Sequence, residues 1–255
     1  MESHNKIKIC AKTDIGLKRK NNEDTYLIVT NGQNVQDYGM LFAVADGMGG
    51  HAFGEVASKM VCEGLSEYYK KKQSPSLGLD FHQSRLHHLI RTIRFANNQI
   101  LRASERNQIF EGMGTTLSVL VLIKGKALIA HVGDSRIYRL RQGHLEQLTV
   151  DHTMAQFLVE EGEITPEDAV KHPARHILTQ VLGSNIDEVD TRIEKLQPGD
   201  LFLLCSDGMY DMLADDDMLK ILIAPSNAQA VCDQLLESAI KNGGKDNVTV
   251  IVVKV

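Results

Sequence analysis

Runs of consecutive apolar residues dominate the hydrophobic pattern of this chain. Met40–Ala45, Leu117–Ile123, Ala127–Val132, Leu201–Cys205 and Val248–Val253 are almost wholly apolar. Runs of this length are short for helices and fit buried strands. Ile7–Ala11 and Thr25–Thr30 add two more strands. Lys124-Gly125 and Gln142-Gly143 are turn pairs. The first joins two of the long runs, and the second joins Ile137–Leu140 to Leu145–Leu148, each as a hairpin. Helical spacing appears elsewhere. Val56, Met60, Val61 and Leu65 share one face, in a helix ending near Tyr69, and Leu86, Leu89, Ile90, Ile93, Ile100 and Leu101 mark a longer helix. Residues 73–82 read as a loop, and 151–186 as mainly helical and polar, with one helix through Met154, Phe157 and Leu158 that stops at Gly162. Thr165-Pro166-Glu167-Asp168 is a capped helix start. Helices near Asp217–Ile223, with Asp215-Asp216-Asp217 as its cap, and over Ala228–Lys241 complete the set. No linker divides the chain, so residues 1–255 are expected to form one domain. About ten strands with helices outside an antiparallel sheet make an α+β fold.

Composition narrows the function classes. The 255 residues are 43% apolar and 24% charged, as in a soluble globular protein. The net charge is −5 and the one basic cluster, Lys70-Lys71-Lys72, reads as a solvated helix end, so nucleic acid is not an expected partner. No segment is apolar enough to span a membrane and the first residues carry no signal-peptide core, which points to the cytoplasm. Cys10, Cys62, Cys205 and Cys232 form no zinc spacing, and the first three read as small core residues in a reducing compartment. His144, His152, His172 and His176 also lack metal-ligand spacing and read as surface or loop residues.

The chemistry collects where apolar runs begin or end. Asp46 follows one run, Asp134 and Asp207 follow two others, and Asp246 precedes the last. A carboxylate at the end of a core strand is rigidly aimed, and the glycine after Asp46 lets backbone come close. Each acid alone is more often a turn or cap residue. Four that converge repel one another and need positive charge to hold them. Oxygen-only ligands favour Mg²⁺ or Mn²⁺ over zinc or copper. Two such ions sharing an aspartate can hold a hydroxide and orient a phosphate ester for in-line attack. Arg19, with its planar fork, is the obvious phosphate clamp.

Six short motifs then occur in order: Arg19-x-x-Asn22-Glu23-Asp24, Asp46-Gly47-Met48-Gly49-Gly50, Met113-Gly114-Thr115-Thr116, Gly133-Asp134-Ser135-Arg136, Ser206-Asp207-Gly208 and Asp246-Asn247. Together they resemble the metal-dependent protein serine/threonine phosphatases, the type 2C or PPM family, in its compact bacterial form. The resemblance runs from about Ile7 to Val255. It implies a four-layer α-β-β-α sandwich of two antiparallel sheets flanked by helices. It also implies Asp46 bridging two core Mn²⁺ or Mg²⁺ ions, the Gly47 carbonyl on one of them, and Asp207 and Asp246 on the other. Glu23 would act through metal-bound water and Arg19 would bind the substrate phosphate, so Arg19, Asp46 and Asp207 carry catalysis. Asp134, with Asp207, matches a weaker third metal site, and 151–186 the variable flap.

The activity implied is hydrolysis of phosphoserine and phosphothreonine in proteins by a hydroxide bridging the two ions, with no phosphoenzyme. By the habits of the family, the protein would be a monomer with a partner serine/threonine kinase. One departure stands out. Many eukaryotic members have a histidine after the Asp-Gly, proposed as general acid, where this chain has Met48; His51 is nearby, and the proton donor stays unassigned. A non-catalytic binding module and a two-metal hydrolase of another phosphate ester, such as a nucleotide, remain the alternatives.

Overall fold

The structure is a computed structural model that describes residues 7–32, 34–48, 53–69, 78–224 and 226–255. The apolar runs become strands, and both faces of each are covered. In chain order the first elements are β1 (Lys8–Asp14), β2 (Asp24–Val29), α1 (Val35–Tyr38), β3 (Met40–Met48), α2 (Gly54–Leu65) and α3 (Phe81–Arg106). There follow β4 (Gly114–Thr115), β5 (Leu117–Ile123), β6 (Lys126–Val132), β7 (Arg136–Arg141) and β8 (His144–Gln147). After them come α4 (Met154–Glu160), α5 (Pro166–Ala169), β9 (Asp190–Lys195) and β10 (Leu201–Cys205). The last are α6 (Asp207–Tyr210), α7 (Asp215–Ile223), α8 (Ala228–Lys241) and β11 (Val248–Lys254).

Two antiparallel sheets result. One has the order β1-β11-β10-β7-β8, the other β2-β3-β5-β6-β9 with β4 paired to β3. Alternate residues of each strand serve different cores, as the two-residue period of a strand requires. On β3, Leu41, Ala43 and Ala45 pack under α2 and α3, while Phe42 and Val44 face the other sheet. On β11, Val248, Val250 and Val252 meet α8, while Ile251 and Val253 point between the sheets. Three apolar cores therefore alternate with four layers, helix, sheet, sheet and helix. This is why the strands read as unbroken apolar runs.

The long helix α3 starts at a capping box, with Asp80 and Gln83 each accepting from the other's backbone N–H. Its Leu86, Leu89, Ile93 and Ile100 are buried on one face.

Several local expectations change. β3 does not stop at Ala45. Asp46 and Gly47 stay in the strand because β2 pairs along it as far as Asp46, opposite Asp24, and β4 takes over at Gly47. Residues 151–186 hold only α4 and α5, and the segment closes by loop hydrogen bonds such as Met154 N–H to the Ile177 carbonyl and Thr179 N–H to the His152 carbonyl. Its Phe157, Val170 and Ile177 are exposed, so little apolar burial is available to hold longer helices. Asp215, Asp216 and Asp217 form the first turn of α7 behind Ala214 and make no cap of their own; they interact with the positive end of the helix dipole. All four cysteines are buried and free, Cys232 included. The Lys70-Lys71-Lys72 cluster and His51 lie outside the described residues.

Candidate active site

The period of β3 aims Asp46. Phe42 and Val44 point between the sheets, so Asp46 continues that face to the end of the sandwich, where the core opens. Thr116 fixes it from β5's edge. The Asp46 N–H donates to Thr116 Oγ1 (3.0 Å), and the Asp46 carbonyl accepts from Thr116 N–H (2.8 Å) and Thr115 Oγ1 (2.9 Å). Asp207 opens α6 directly after β10, Asp246 precedes β11, and Asp134 lies in the β6–β7 turn. Asn247 stitches the Arg19–Glu23 loop to that end of the sheet. Its Oδ1 accepts from Glu23 N–H (2.8 Å) and its Nδ2 donates to the carbonyls of Ile15 and Asn21. The structure thus brings Arg19, Glu23, Asp46, Gly47, Asp134, Asp207 and Asp246 to the wall of one cavity of about 630 Å³.

Close backbone approach explains the glycines. A Cβ at Gly208 would fall 2.0 Å from the Asn247 carbonyl oxygen, and one at Gly47 would fall 2.2 Å from that of Gly54. We expect Gly208→Ala to lower stability by about 2–3 kcal/mol, since backbone cannot yield as a flexible side chain does. The midpoint of urea unfolding measures this, and an unchanged midpoint contradicts the close packing of β10–α6 on the Asp246–Asn247 turn.

The electrostatics are those of a crowded acid set. Burial raises the Asp46 and Asp207 carboxyls well above their ordinary range, and the other acids add to it: Asp24, Asp207 and Asp134 for Asp46, and Asp134 and Asp246 for Asp207. Burial, then Asp151, pushes Asp134 up to about 7. Asp24 rises to about 6 through burial, although Ser206 Oγ donates to it at 2.7 Å. Glu23 is raised too, first by burial. One carboxylate oxygen of Asp207, Oδ1, is buried without a hydrogen-bond partner. So is Oδ1 of Asp24. Buried oxygens of this kind are costly unless a cation or proton satisfies them.

Convergence is incomplete in one respect. Among the described residues, the three metal-ligating side chains whose ligand atoms lie within 4.8 Å of one another are His176, Asp207 and Asp211, not Asp46, Asp207 and Asp246. The Asp246 carboxylate is turned to Arg19 and to the N–H of Asn247. Arg19 therefore serves as the counter-charge of an acid of the set.

One histidine expectation is corrected, while His176 is an exposed loop residue as expected. His152 is buried; its Nδ1 accepts the Gly133 N–H (3.1 Å) and its Nε2 lies 3.2 Å from Asp190. His176 lines the cavity beside Asp207. Thr116, from the Met113-Gly114-Thr115-Thr116 motif, also lines it, as do Arg175, Asp211 and Lys245, which carried no distinct signal in the sequence. Arg175 pairs with Asp211 through both its Nη atoms, at 3.0 and 3.2 Å, so the 151–186 segment is fastened to α6's end beside the acids. Met48 lines the cavity at 39% exposure and offers no proton.

A profile of protein phosphatase 2C matches residues 18–241 of this chain. The chain belongs to the protein phosphatase 2C family. It is 39% identical over 249 residues to the serine/threonine protein phosphatase PstP of Mycobacterium tuberculosis, covering 98% of this chain and 45% of that relative. The chain thus spans less than half the length of PstP. A putative protein phosphatase 2C-type of Streptococcus pyogenes is 36% identical, with 97% of both chains covered. Among solved structures, the catalytic domain of PstP in complex with two manganese ions superposes with a TM-score of 0.81 at 36% identity, covering 97% of each chain. The protein phosphatase 2C fold accounts for the two stacked sheets, and the described helices include none long and apolar enough to cross a membrane.

The donor set fits a hard divalent cation. It is carboxylate oxygen with one backbone carbonyl, burial and the neighbouring acids push Asp46 and Asp207 towards protonation, and Asp207 Oδ1 has no partner.

Proposed function

We propose that this chain is a metal-dependent protein serine/threonine phosphatase acting on phosphoserine and phosphothreonine in proteins. The observation that carries the proposal is the crowded acid set around Asp46 and Asp207, whose ionised forms burial and mutual repulsion penalise and which leaves Asp207 Oδ1 unpaired, in a chain of this family. Asp46 and the Gly47 carbonyl, with Asp207, Asp246 and Glu23, would hold two Mn²⁺ or Mg²⁺ ions, and Asp134 with Asp207 a weaker third. When bound, the ions supply an activated water nucleophile and counter-charge for direct transfer to water without a phosphoenzyme.

The protein's own residues do the rest. The Asp46 backbone is held by three hydrogen bonds to Thr115 and Thr116, which fixes the strand position from which its carboxylate projects. Arg19 pairs with Asp246 and is raised above its ordinary value first by that hydrogen bond, so it is a permanent cation at the cavity mouth. A phosphate entering there exchanges for Asp246 as its partner and gains planar two-point contact. Met48 donates no proton to the leaving alkoxide, which leaves that step to solvent or to another group. The substrates fit proteins of the cytoplasm, with a partner serine/threonine kinase supplying them; residues 1–255 work as a monomeric phosphatase domain, with 151–186 as its flap.

A nucleotide phosphatase with the same acids is the competing class. We expect phosphate release from a phosphothreonine peptide to exceed release from a nucleoside monophosphate by at least about tenfold in kcat/KM, or about 1.4 kcal/mol in transition-state binding. Equal or reversed preference overturns the protein-substrate assignment and leaves the two-metal chemistry standing.

A further inference from the structure

The turn that carries Asp134 is held by three elements, one carbonyl each. The Gly133 carbonyl accepts from the His152 N–H (2.8 Å) and the Ser135 carbonyl from Ser118 Oγ (2.6 Å). Between them, the Asp134 carbonyl accepts from the hydroxyl of Tyr210 (3.0 Å). Tyr210 is the last residue of α6, and Asp207 is the first. On one short helical turn, residues three apart lie on the same side. The phenol therefore runs from the helix that presents Asp207 to the loop that presents Asp134.

We propose that Tyr210 is a positioning residue whose hydroxyl fixes the separation of Asp134 and Asp207, and so sets the affinity of the outer cation site those two acids form. The proposal rests on the reading above that they share a cation. The physical need is plain. Asp134 is buried and Asp207 half-buried, and the charge of Asp134 raises the cost of ionising Asp207. Without a tether, the loop and the helix relieve that repulsion by moving apart, and an incoming cation has to draw them back. A hydroxyl bonded to backbone holds them at a fixed spacing without adding charge.

The tether is itself clamped. The Arg136 guanidinium lies over the Tyr210 ring, 3.6 Å from its centroid. The same guanidinium makes a forked pair with Asp151 through Nε and Nη2 and donates from Nη1 to the Tyr138 hydroxyl (2.8 Å). Asp151 stands where the 151–186 segment begins. The chain of contacts from flap root to outer acid is Asp151, Arg136, Tyr210, Asp134.

Tyr210→Phe removes the hydroxyl and keeps the ring under Arg136, so the fold is preserved. The test is a Mn²⁺ titration followed by electron paramagnetic resonance, on wild type, Tyr210→Phe, Asp134→Asn and the double variant. Expected is a loss of about five-fold in affinity of the weakest Mn²⁺ class in Tyr210→Phe, the worth of one neutral hydrogen bond, with the tighter classes unmoved. Asp134→Asn removes the weak class, and adding Tyr210→Phe to it changes nothing more, because the hydroxyl acts only through Asp134. In turnover, the Mn²⁺ activation curve of Tyr210→Phe moves to higher concentration by the same factor and reaches the wild-type kcat, with KM for phosphopeptide unchanged. Wild-type Mn²⁺ binding in Tyr210→Phe overturns the tether, as does a loss that excess Mn²⁺ does not restore. A wild-type protein that binds no Mn²⁺ instead removes the cation reading beneath it.

Discussion

Asp207→Asn is expected to lose about a thousandfold in turnover on a phosphothreonine peptide while keeping its fold, as when a group that organises transition-state charge is deleted. Asp207 is placed at the first residue of α6, with Oδ1 buried and unpaired. An amide of nearly the same shape fills the space but is a poor ligand for a hard cation. The effect on stability has the opposite sign. Burial and the charges of Asp134 and Asp246 penalise ionised Asp207, so the neutral amide relieves repulsion in the chelated protein. Chelated Asp207→Asn should therefore melt no lower than chelated wild type. Turnover near the wild-type value, with Mn²⁺ saturating, would sink the assignment of Asp207 as a ligand.

Metal removal should have the next largest effect. A ligand that binds only the native state stabilises it by mass action, about 2.7 kcal/mol for a site at 100-fold over its Kd. For a chain of this size that corresponds to roughly 5–10 °C in melting temperature. The pH dependence should then reveal the acids. In the chelated protein the carboxyls of Asp46 and Asp207 are raised in the folded state, Asp134 to about 7 and Asp24 to about 6. A raised carboxyl means that the folded state holds more protons than the unfolded one. Its stabilising contribution is complete below the unfolded value near about 4 and is lost as pH rises through the folded value. Chelated protein should thus melt progressively lower between about pH 4 and pH 7. Saturating Mn²⁺ should remove or reverse that slope, because the cation prefers ionised ligands. Equal melting temperatures with and without metal, once removal is verified, contradict a buried acid centre that binds cations.

The sequence made the ligand acids readable because they punctuate apolar runs. Asp46, Asp134 and Asp207 follow strands buried on both faces, and a two-residue period carries the inter-sheet face of Phe42 and Val44 straight into Asp46. Less readable was where β3 ends. Asp-Gly looks like a turn, and only the partners on either side, Asp24 on β2 and Thr115 on β4, keep it extended. Asp24 had appeared only as a motif letter, although its register opposite Asp46 puts it into the acid set. Arg175 and Asp211 gave no signal and His176 read only as a surface or loop residue, since Arg175 and His176 lie in irregular chain without periodicity and Asp211 is a lone acid after a short helix. Long-range pairing, not local pattern, brings them to the cavity. His152 is similar: in sequence it is one histidine in a loop, and its buried role depends on Gly133, nineteen residues away.

The most direct measurement is phosphate release from a phosphothreonine peptide with Mn²⁺, with Mg²⁺, and with excess chelator. Turnover that requires Mn²⁺ or Mg²⁺ and disappears with chelator is the predicted result. Turnover that persists after verified metal removal, or folded protein inert under every condition, would contradict the central claim that these buried acids hold the cations of a phosphatase.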